Sequence, residues 1–312
     1  MRAPPSAAPL TVRPMVEPES VADEVEILDP DDPHAVGYLE RSLAGSPFWQ
    51  MGPRAAEDTI QRRDPRLLDF LASARDAPLG EMEFDVLAWM ITRWFRVGRP
   101  ENGRIQASFG DLGRSMFGRK GGGRQYALIR RALDNLYSVS IDLVVIEGVD
   151  EDQVFKRTTR RRIIHSLDIR EDLGDGEGDS GVGSICVSLA PWLVDQLDTR
   201  TVTAMSWSVM RKLTGLSKRL AVYLAAHTDD FSPITRHTER FTVELDDRLY
   251  EELGVTASRA RQRRASVTRA LERILTHDPR YSVLCVEPAD GSHVLRAERR
   301  RGADVLALPT AG

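Results

Sequence analysis

The chain has 312 residues, with 43 Lys and Arg against 47 Asp and Glu and a formal charge of −4. Its hydrophobic content of 41% is ordinary for a globular protein and too high for a wholly disordered one. The length predicts about two domains. With no run of 18 apolar residues and no signal-peptide pattern, we expect a cytoplasmic protein without membrane contact. Cys186 and Cys285 have neither a disulfide-framework nor a zinc spacing, which predicts small core residues.

The near-zero net charge conceals an uneven distribution of charge along the chain. Residues 1–52 carry nine acids and three arginines, whereas residues 254–301 carry eleven arginines and five acids. Two further basic clusters lie at 114–131 and 156–162. Such clusters favour phosphate as a partner, although an Arg-rich surface without a function has the same composition.

The first half of the chain begins without clear periodicity and then becomes helical. Residues 1–60 are rich in Pro, Ala, Asp and Glu and predict a flexible acidic tail. Apolar residues at helical spacing predict amphipathic helices over Pro65–Ala74 and Glu81–Val97. Ser108, followed three residues later by Asp111, predicts the N-terminus of a third helix. The elements predicted after the first two helices are a short strand Arg104–Ala107, helices Phe109–Phe117 and Arg124–Val139, and a hairpin of Ser140–Ile146 with Val154–Leu167.

The second half repeats this order after a glycine-rich stretch at Gly174–Gly183, which we interpret as a loop or linker. Asp246 is the expected cap of a short helix that ends at Gly254. The predicted elements are a strand Ile185–Leu189, helices around Pro191–Leu197 and over Ser206–His227, a strand Thr242–Leu245, helices Asp247–Leu253 and Ser258–Thr276, and a hairpin of Tyr281–Val286 with His293–Ala297.

Helix, strand, helix, turn, basic helix and β-hairpin is the order of a winged helix-turn-helix, whose second turn-flanking helix enters the DNA major groove. Finding the order twice predicts an α+β fold of two tandem winged-helix domains (helix-turn-helix plus β-hairpin) with a disordered acidic N-terminal tail. The predicted boundaries are 1–60 for the tail, 64–172 for the first domain, 173–183 for the linker, 184–301 for the second domain and 302–312 for a C-terminal tail.

The helix Ser258–Thr276 has an apolar face and an opposite face without acids. Arg can bind guanine and Gln can bind adenine in the major groove, while Ala and Ser permit a close approach. Arg263 and Arg264 fall toward the apolar face, so either the helix start projects beyond the core or these side chains extend to phosphate. The outer face comprises Ser258, Arg261, Gln262, Ala265, Ser266, Arg269 and Arg273.

The first copy offers a second, weaker set of candidate DNA contacts. Its helix turns Arg124, Arg131 and Asn135 outward together with the acidic Asp134. Further phosphate-binding candidates are Arg119 and Lys120 in the glycine turn, Lys156 and Arg157 in the first hairpin, Arg296 in the last strand and Arg299 just after it. We expect Gln262, Arg261, Ser266 and Arg269 to contact base edges, and Arg124, Arg131, Arg119, Lys120, Arg296 and Arg299 to hold phosphates.

The sequence lacks the signatures of the enzyme classes that act on nucleic acid or nucleotides. Gly118–Gly123 has no Walker pattern, so it is interpreted as a turn. The six histidines form neither His-x-His nor His-Glu-x-x-His, and a cation site at His227, Asp229, Asp230 and His237 is less favoured than a helix end with a surface loop. We therefore expect a protein that is not an enzyme and that has no cofactor and no metal.

The second half resembles plasmid replication initiator proteins of the replication initiator A type. The resemblance rests on Ile-x-Val-x-Leu-x-Pro-Trp-Leu at 185–193 and on a following helix that contains Leu-Ser-Lys-Arg-Leu-Ala-Val-Tyr at 216–223. It covers roughly residues 64–301. It implies a protein that binds repeated origin sequences in double-stranded DNA, helps to open the origin, and recruits the host initiator ATPase and the replicative helicase.

The same resemblance implies a homodimer that represses its own promoter and a bacterial cytoplasmic protein associated with plasmid or nucleoid. Two alternatives stay open at this point. The two modules could form a transcriptional repressor, which binds DNA without opening it, or the basic face could belong to an interaction scaffold that binds an acidic protein or the acidic tail.

Overall fold

The computed structural model describes residues 36–40, 62–64, 67–70, 79–118, 122–150, 153–170, 183–198, 202–228 and 240–299. Side chains are described for most of these residues, apart from residues 36, 40, 62–64, 67–70, 142–158, 228 and 299. None of the helices in these ranges combines the length and the apolar character needed to cross a membrane.

The first winged-helix unit runs from residue 79 to 189. Its helices and strands are α1 Glu81–Arg96, β4 Arg104–Ser108, α2 Phe109–Phe117, α3 Gly123–Ser138, β5 Ser140–Asp150, β6 Gln153–Arg162, β7 Ile164–Arg170 and β8 Ser184–Leu189, preceded in the chain by β1 Val36–Glu40, β2 Arg62–Asp64 and β3 Leu67–Phe70.

Local signals set the ends of these helices as the sequence predicts. The Ser108 hydroxyl accepts a hydrogen bond from the Asp111 backbone N–H at 3.0 Å, which caps α2. Gly118 ends α2 in the left-handed conformation at φ 70°. The Gln125 side chain accepts from the Gly122 N–H at 2.9 Å and fixes the start of α3. The predicted helices at 81–97, 109–117 and 124–139 are therefore confirmed.

The wing of the first unit differs from the predicted one. Strands β4, β8 and β7 form one antiparallel sheet in that order, with Ile105 opposite Val187 and Leu167 opposite Val187 on its other side. The hairpin that the sequence marked as the wing divides between β5–β6, a separate two-stranded ribbon, and β7. The predicted continuous strand 154–167 is interrupted at Ile163, which is fully buried.

This pairing corrects the predicted domain boundary. Strand Ser184–Leu189, assigned from sequence to the second domain, hydrogen-bonds to β4 and β7 of the first unit. The glycine-rich segment 173–183 thus joins two neighbouring strands of one sheet rather than two domains. Glycine-rich composition is typical of both kinds of connection, so it could not separate them.

Strand β3 lies within the predicted helix Pro65–Ala74 and contradicts it; the other residues of that prediction lie outside the described part of the chain. Leu67–Phe70 pairs with β2, with Asp64 opposite Leu67. A short apolar run of this kind fits a helix and a buried strand equally well, because periodicity needs a longer window to distinguish them.

A connector of α4 Pro191–Asp198, β9 Val202–Ser206 and α5 Trp207–Lys212 follows the first unit. Strand β1 pairs antiparallel with β9, placing Tyr38 opposite Ala204, and both Tyr38 and Leu39 are buried. This corrects the tail prediction for residues 36–40, which belong to the core. The rest of the predicted tail at 1–60, and the predicted tail at 302–312, lie outside the described residues.

The second unit contains α6 Gly215–Thr228, β10 Arg240–Glu244, α7 Asp247–Glu252, α8 Ala260–His277, β11 Tyr281–Ala289 and β12 Ser292–Arg299. Its sheet order, β10-β12-β11, matches the β4-β8-β7 order of the first unit. The predicted single helix Ser206–His227 is divided by extended backbone at Leu213 and by Gly215 at φ 57°. The repeated topology confirms the tandem winged-helix fold.

The first helix of each unit is buried on all sides over most of its length. In α1 the residues from Phe84 to Thr92 are all buried, and in α6 the residues from Ser217 to Ala226 are all buried. A helix with this pattern lies between two layers of structure rather than on a surface. One continuous hydrophobic cluster accordingly extends from Phe84 through Trp207 to Leu271.

Candidate nucleic-acid interface

The exposed stripe of α8 lies where the sequence places it. The buried face consists of Val267, Ala270, Leu271 and Ile274. Opposite this face, Arg261, Gln262, Ala265, Arg269 and Arg273 are exposed, as is Ser258 just before the helix, and Ser266 is half-buried. From residue 258 to residue 271 the sequence has no acid. The stripe thus presents guanidinium and amide donors on a surface of small side chains.

The turn before α8 is built by local capping. Asp246 accepts a hydrogen bond from the Leu249 N–H at 2.7 Å and caps α7, and Gly254 follows α7 at φ 70°. These two signals place α7 and α8 in the helix-turn-helix relation that the sequence predicts.

Arg263 packs α8 against α7. The helical wheel had left open whether the start of the helix projects beyond the core or this side chain extends to phosphate. Its guanidinium lies 4.7 Å from the ring centroid of Tyr250 and donates to Asp247 at 2.8 Å. Burial of the Tyr250 hydroxyl raises its pKa, against the effect of the Arg264 and Arg263 charges. Arg263 is therefore a packing residue between the two helices and does not extend to the exposed stripe of α8.

Helix α3 presents a smaller exposed face. Arg124 and Arg131 are exposed as predicted, and so is Leu128, with 42% of its surface accessible. Leu128 lies about 40° from Arg124 on the helical wheel, so the wheel already contained this signal. An exposed aliphatic side chain between two arginines can contact a thymine methyl group while the arginines hold the backbone.

Asn135 has a partner within the protein. Its side-chain N–H donates to Glu83 of α1 at 2.8 Å, and Glu83 also accepts from the Gly80 N–H. The amide therefore fixes α3 against α1, and its DNA contact stays a prediction. Outward placement on a wheel could not reveal that α1 crosses α3 at this residue.

Arg296 is also engaged within the protein. Its guanidinium donates to Glu287 at 3.1 Å and forms a second ion pair with Glu298. The hydrogen bond from Arg296 lowers the pKa of Glu298 below its usual value, against the opposing effect of desolvation. Because two carboxylates neutralise this guanidinium, the structure does not support its predicted role in holding phosphate.

The thiol of Cys285 lies beside the same carboxylate, Glu287. Burial, together with a hydrogen bond to Glu287, raises the pKa of Cys285. Both cysteines are free and half-buried, and neither belongs to the buried core, which corrects their prediction as small core residues.

The remaining candidates are placed only in part. Lys156 and Arg157 lie on β6 opposite Ile146 and Val145, but their side chains are outside the described part of the chain. Arg299 ends β12 opposite Tyr281, also without a described side chain, and Arg119 and Lys120 are outside the described residues. Within the described ranges no cluster of three or more His, Cys, Asp or Glu could hold a metal ion.

Comparison with known proteins identifies the fold. No protein-family model and no curated protein matches the sequence. Two crystal structures of RctB domains 2 and 3 superpose with TM-scores of 0.55 and 0.54, at 13% and 12% identity. They match 84% and 83% of this chain and 98% and 97% of their own. The Pi initiator protein in complex with iteron DNA has a TM-score of 0.42 at 13% identity, over 80% of this chain and 100% of its own.

At 12–13% identity the RctB likeness shows the fold alone, over more than four fifths of this chain. It agrees with the fold that the sequence resemblance implies.

Proposed function

We propose that this protein is a sequence-specific, double-stranded DNA-binding plasmid replication initiator that binds repeated origin sites. The observation that carries the proposal is the exposed, acid-free stripe of α8, situated on the second helix of a helix-turn-helix. The fold shared with RctB domains 2 and 3 and the sequence resemblance to plasmid initiators support replication over other uses of such a helix.

In this proposal the two units contribute different contacts. Arg261, Gln262 and Arg269 reach base edges from α8, with Ser258, Ala265, Ser266 and Arg273 along the same groove. Arg124 and Arg131 hold phosphates beside α3, and Leu128 between them contacts a thymine methyl group, which gives α3 a base contact of its own. The protein has no catalytic step of its own and needs no cofactor. It acts in the bacterial cytoplasm on plasmid or nucleoid DNA.

The finer steps belong to the same proposal. After binding, the protein promotes opening of adjacent A·T-rich DNA and recruits the host initiator ATPase and the replicative helicase, and as a homodimer it represses its own promoter. Permanganate footprinting of a supercoiled plasmid tests the opening step, because unpaired thymines become reactive. Protection without reactive thymines would favour the transcriptional repressor.

The primary experiment is a nuclease footprint on the DNA that flanks the gene, at two salt concentrations and against scrambled competitor DNA. We expect regularly spaced protected repeats next to an A·T-rich tract. The variant Gln262→Ala should lose the repeats while keeping salt-dependent binding to random DNA, because the amide contacts bases rather than phosphates.

Lys212→Ala is the matched control, since Lys212 is an exposed cation on the connector helix α5. It should leave the footprint unchanged. A footprint that survives Gln262→Ala would contradict base reading by α8, and no protection at any salt would leave the interaction scaffold as the better function.

A further inference from the structure

The buried first helices of the two units are joined by a salt bridge. Lys218 of α6 donates to both carboxylate oxygens of Asp85 of α1, at 2.7 and 2.8 Å. Each of these two residues is only 2% exposed. Arg211 of the connector donates to the same carboxylate. One buried carboxylate therefore holds a cation from the second unit and a cation from the connector.

Three further hydrogen bonds surround this salt bridge. Arg211 also donates to the Met116 carbonyl at the end of α2. The Gly215 N–H at the start of α6 donates to Glu81 of α1, and the Trp207 ring N–H donates to the Ser115 carbonyl at 3.0 Å. We call this set, centred on Asp85, Lys218 and Arg211, the ionic joint.

The ionic joint holds α1 and α6 in one relative position, because ion pairs depend on distance and orientation more strongly than apolar packing does. A buried charge that loses its partner must be desolvated without compensation, so small sliding movements between α1 and α6 are strongly opposed. Interfaces between domains of one chain are commonly polar and permit relative motion. The joint restricts that motion at the place where the two units meet.

We propose that Asp85 is a positioning residue that fixes the separation and helical phase of α3 and α8, so that the protein binds two blocks of base sequence at one spacing. The inference rests on the proposed function, because it requires both helices to contact DNA. Asp85 itself lies on a helix that is buried on all sides, so it does not contact the DNA.

The first test uses the footprinted site with the two sequence blocks moved apart. Wild type should lose about tenfold or more in affinity when about 5 base pairs, half a helical turn, are inserted between them. The isosteric variant Asp85→Asn should bind the native site more weakly and lose most of this discrimination. Equal discrimination by both proteins would overturn the proposal.

A second measurement reports on the joint without DNA. Spin labels at Ser138→Cys on α3 and Glu272→Cys on α8, both exposed, are introduced after Cys186→Ala and Cys285→Ala. Electron-paramagnetic distance measurements should give a narrow distribution for wild type and a broad one for Asp85→Asn. A narrow distribution in both would refute the joint, whereas a narrow wild-type distribution with no DNA binding would refute the proposed function alone.

Two more variants separate positioning from loss of folding. Arg211→Gln removes the less buried cation, whose side chain is 18% exposed, and should broaden the distribution with less effect on thermal unfolding. Glu252→Gln is the matched control, because that buried carboxylate pairs with Arg248 of its own helix. Its distance distribution and spacing preference should equal those of wild type, and an equal broadening would show a general effect of destabilisation instead.

Discussion

Arg269 and Arg296 are both arginines of the second unit, but their guanidinium groups have different surroundings. The Arg269 side chain is exposed and bonds to the Ala265 carbonyl one turn earlier at 3.2 Å, whereas Arg296 lies between two carboxylates. A carbonyl leaves the positive charge of Arg269 uncompensated. The role of an exposed arginine thus depends on the charge of its neighbours, which composition does not reveal.

This difference predicts opposite phenotypes for two alanine variants. Arg269→Ala should weaken binding to the specific site by about 1–3 kcal/mol and relax base preference. Arg296→Ala should leave the dependence of affinity on salt unchanged, because its charge is already neutralised, and should change the stability only slightly, because the ion pairs are solvent-screened. Binding titrations at several salt concentrations measure the affinity and its salt dependence for each variant, and urea unfolding measures the stability. If the affinity of Arg296→Ala depended less on salt than that of wild type, Arg296 would be shown to contact a phosphate after all.

Leu128 provides a second prediction at this scale. If its side chain contacts a thymine methyl, Leu128→Ala should cost about 1 kcal/mol of affinity on normal DNA, within the range of an exposed apolar contact. Replacing the contacted thymine by uracil should weaken wild type by a similar amount and leave the variant unaffected. Independent, additive losses in this double-mutant cycle would place Leu128 away from the base.

At the scale of elements, two glycines with positive φ lie at the ends of strands and differ in their surroundings. Gly103 precedes β4 at φ 65°, and its carbonyl accepts from the Leu189 N–H at 3.0 Å, so it joins the edge strand to β8. A Cβ at this position would approach the Leu189 carbonyl oxygen and a Val194 methyl at 2.9 Å each. Gly291, in the β11–β12 turn at φ 85°, has no atom within 4 Å of such a Cβ.

These two glycines form a matched pair for measurement. Gly291→Ala should lower the free energy of unfolding by about 1–2 kcal/mol, the cost of a left-handed alanine. Gly103→Ala should lower it further, because steric overlap with backbone adds to the same strain. Chemical denaturation compares the two directly. Equal losses would mean that the backbone around Leu189 relaxes without cost.

At the scale of the whole molecule, the acidic N-terminal region divides at residue 36. Residues 1–35 contain eight acids and two arginines, whereas residues 36–40 pair with β9 and bury Tyr38 and Leu39. The Tyr38 N–H donates to the Thr92 hydroxyl of α1 at 2.8 Å. A deletion through residue 60 would therefore remove charge and core together.

Two truncations separate these effects. Removing residues 1–35 should leave thermal unfolding unchanged and raise DNA affinity at low salt, because six net negative charges are lost. Removing residues 1–40 should also lower stability by several kcal/mol, because two core side chains and a strand are lost. Unaltered stability after the longer deletion would show that β1 is dispensable, and unaltered affinity after the shorter one would exclude masking by charge.

The sequence by itself determined the features that depend on nearby residues. Helical periodicity, the caps at Ser108 and Asp246, and the acid-free stripe of α8 arise within a few turns of chain, so local rules predicted them. Repetition of the element order was sufficient to predict the tandem winged-helix fold.

Tertiary structure alone decided the features that join distant residues. The pairing of β8 with β4, the place of β1 in the core, and the salt bridge between Asp85 and Lys218, 133 positions apart, depend on which surfaces meet in space. The same is true of the engagement of Asn135 by Glu83. No local pattern encodes such contacts, because their free energy comes from burial that exists only in the folded chain.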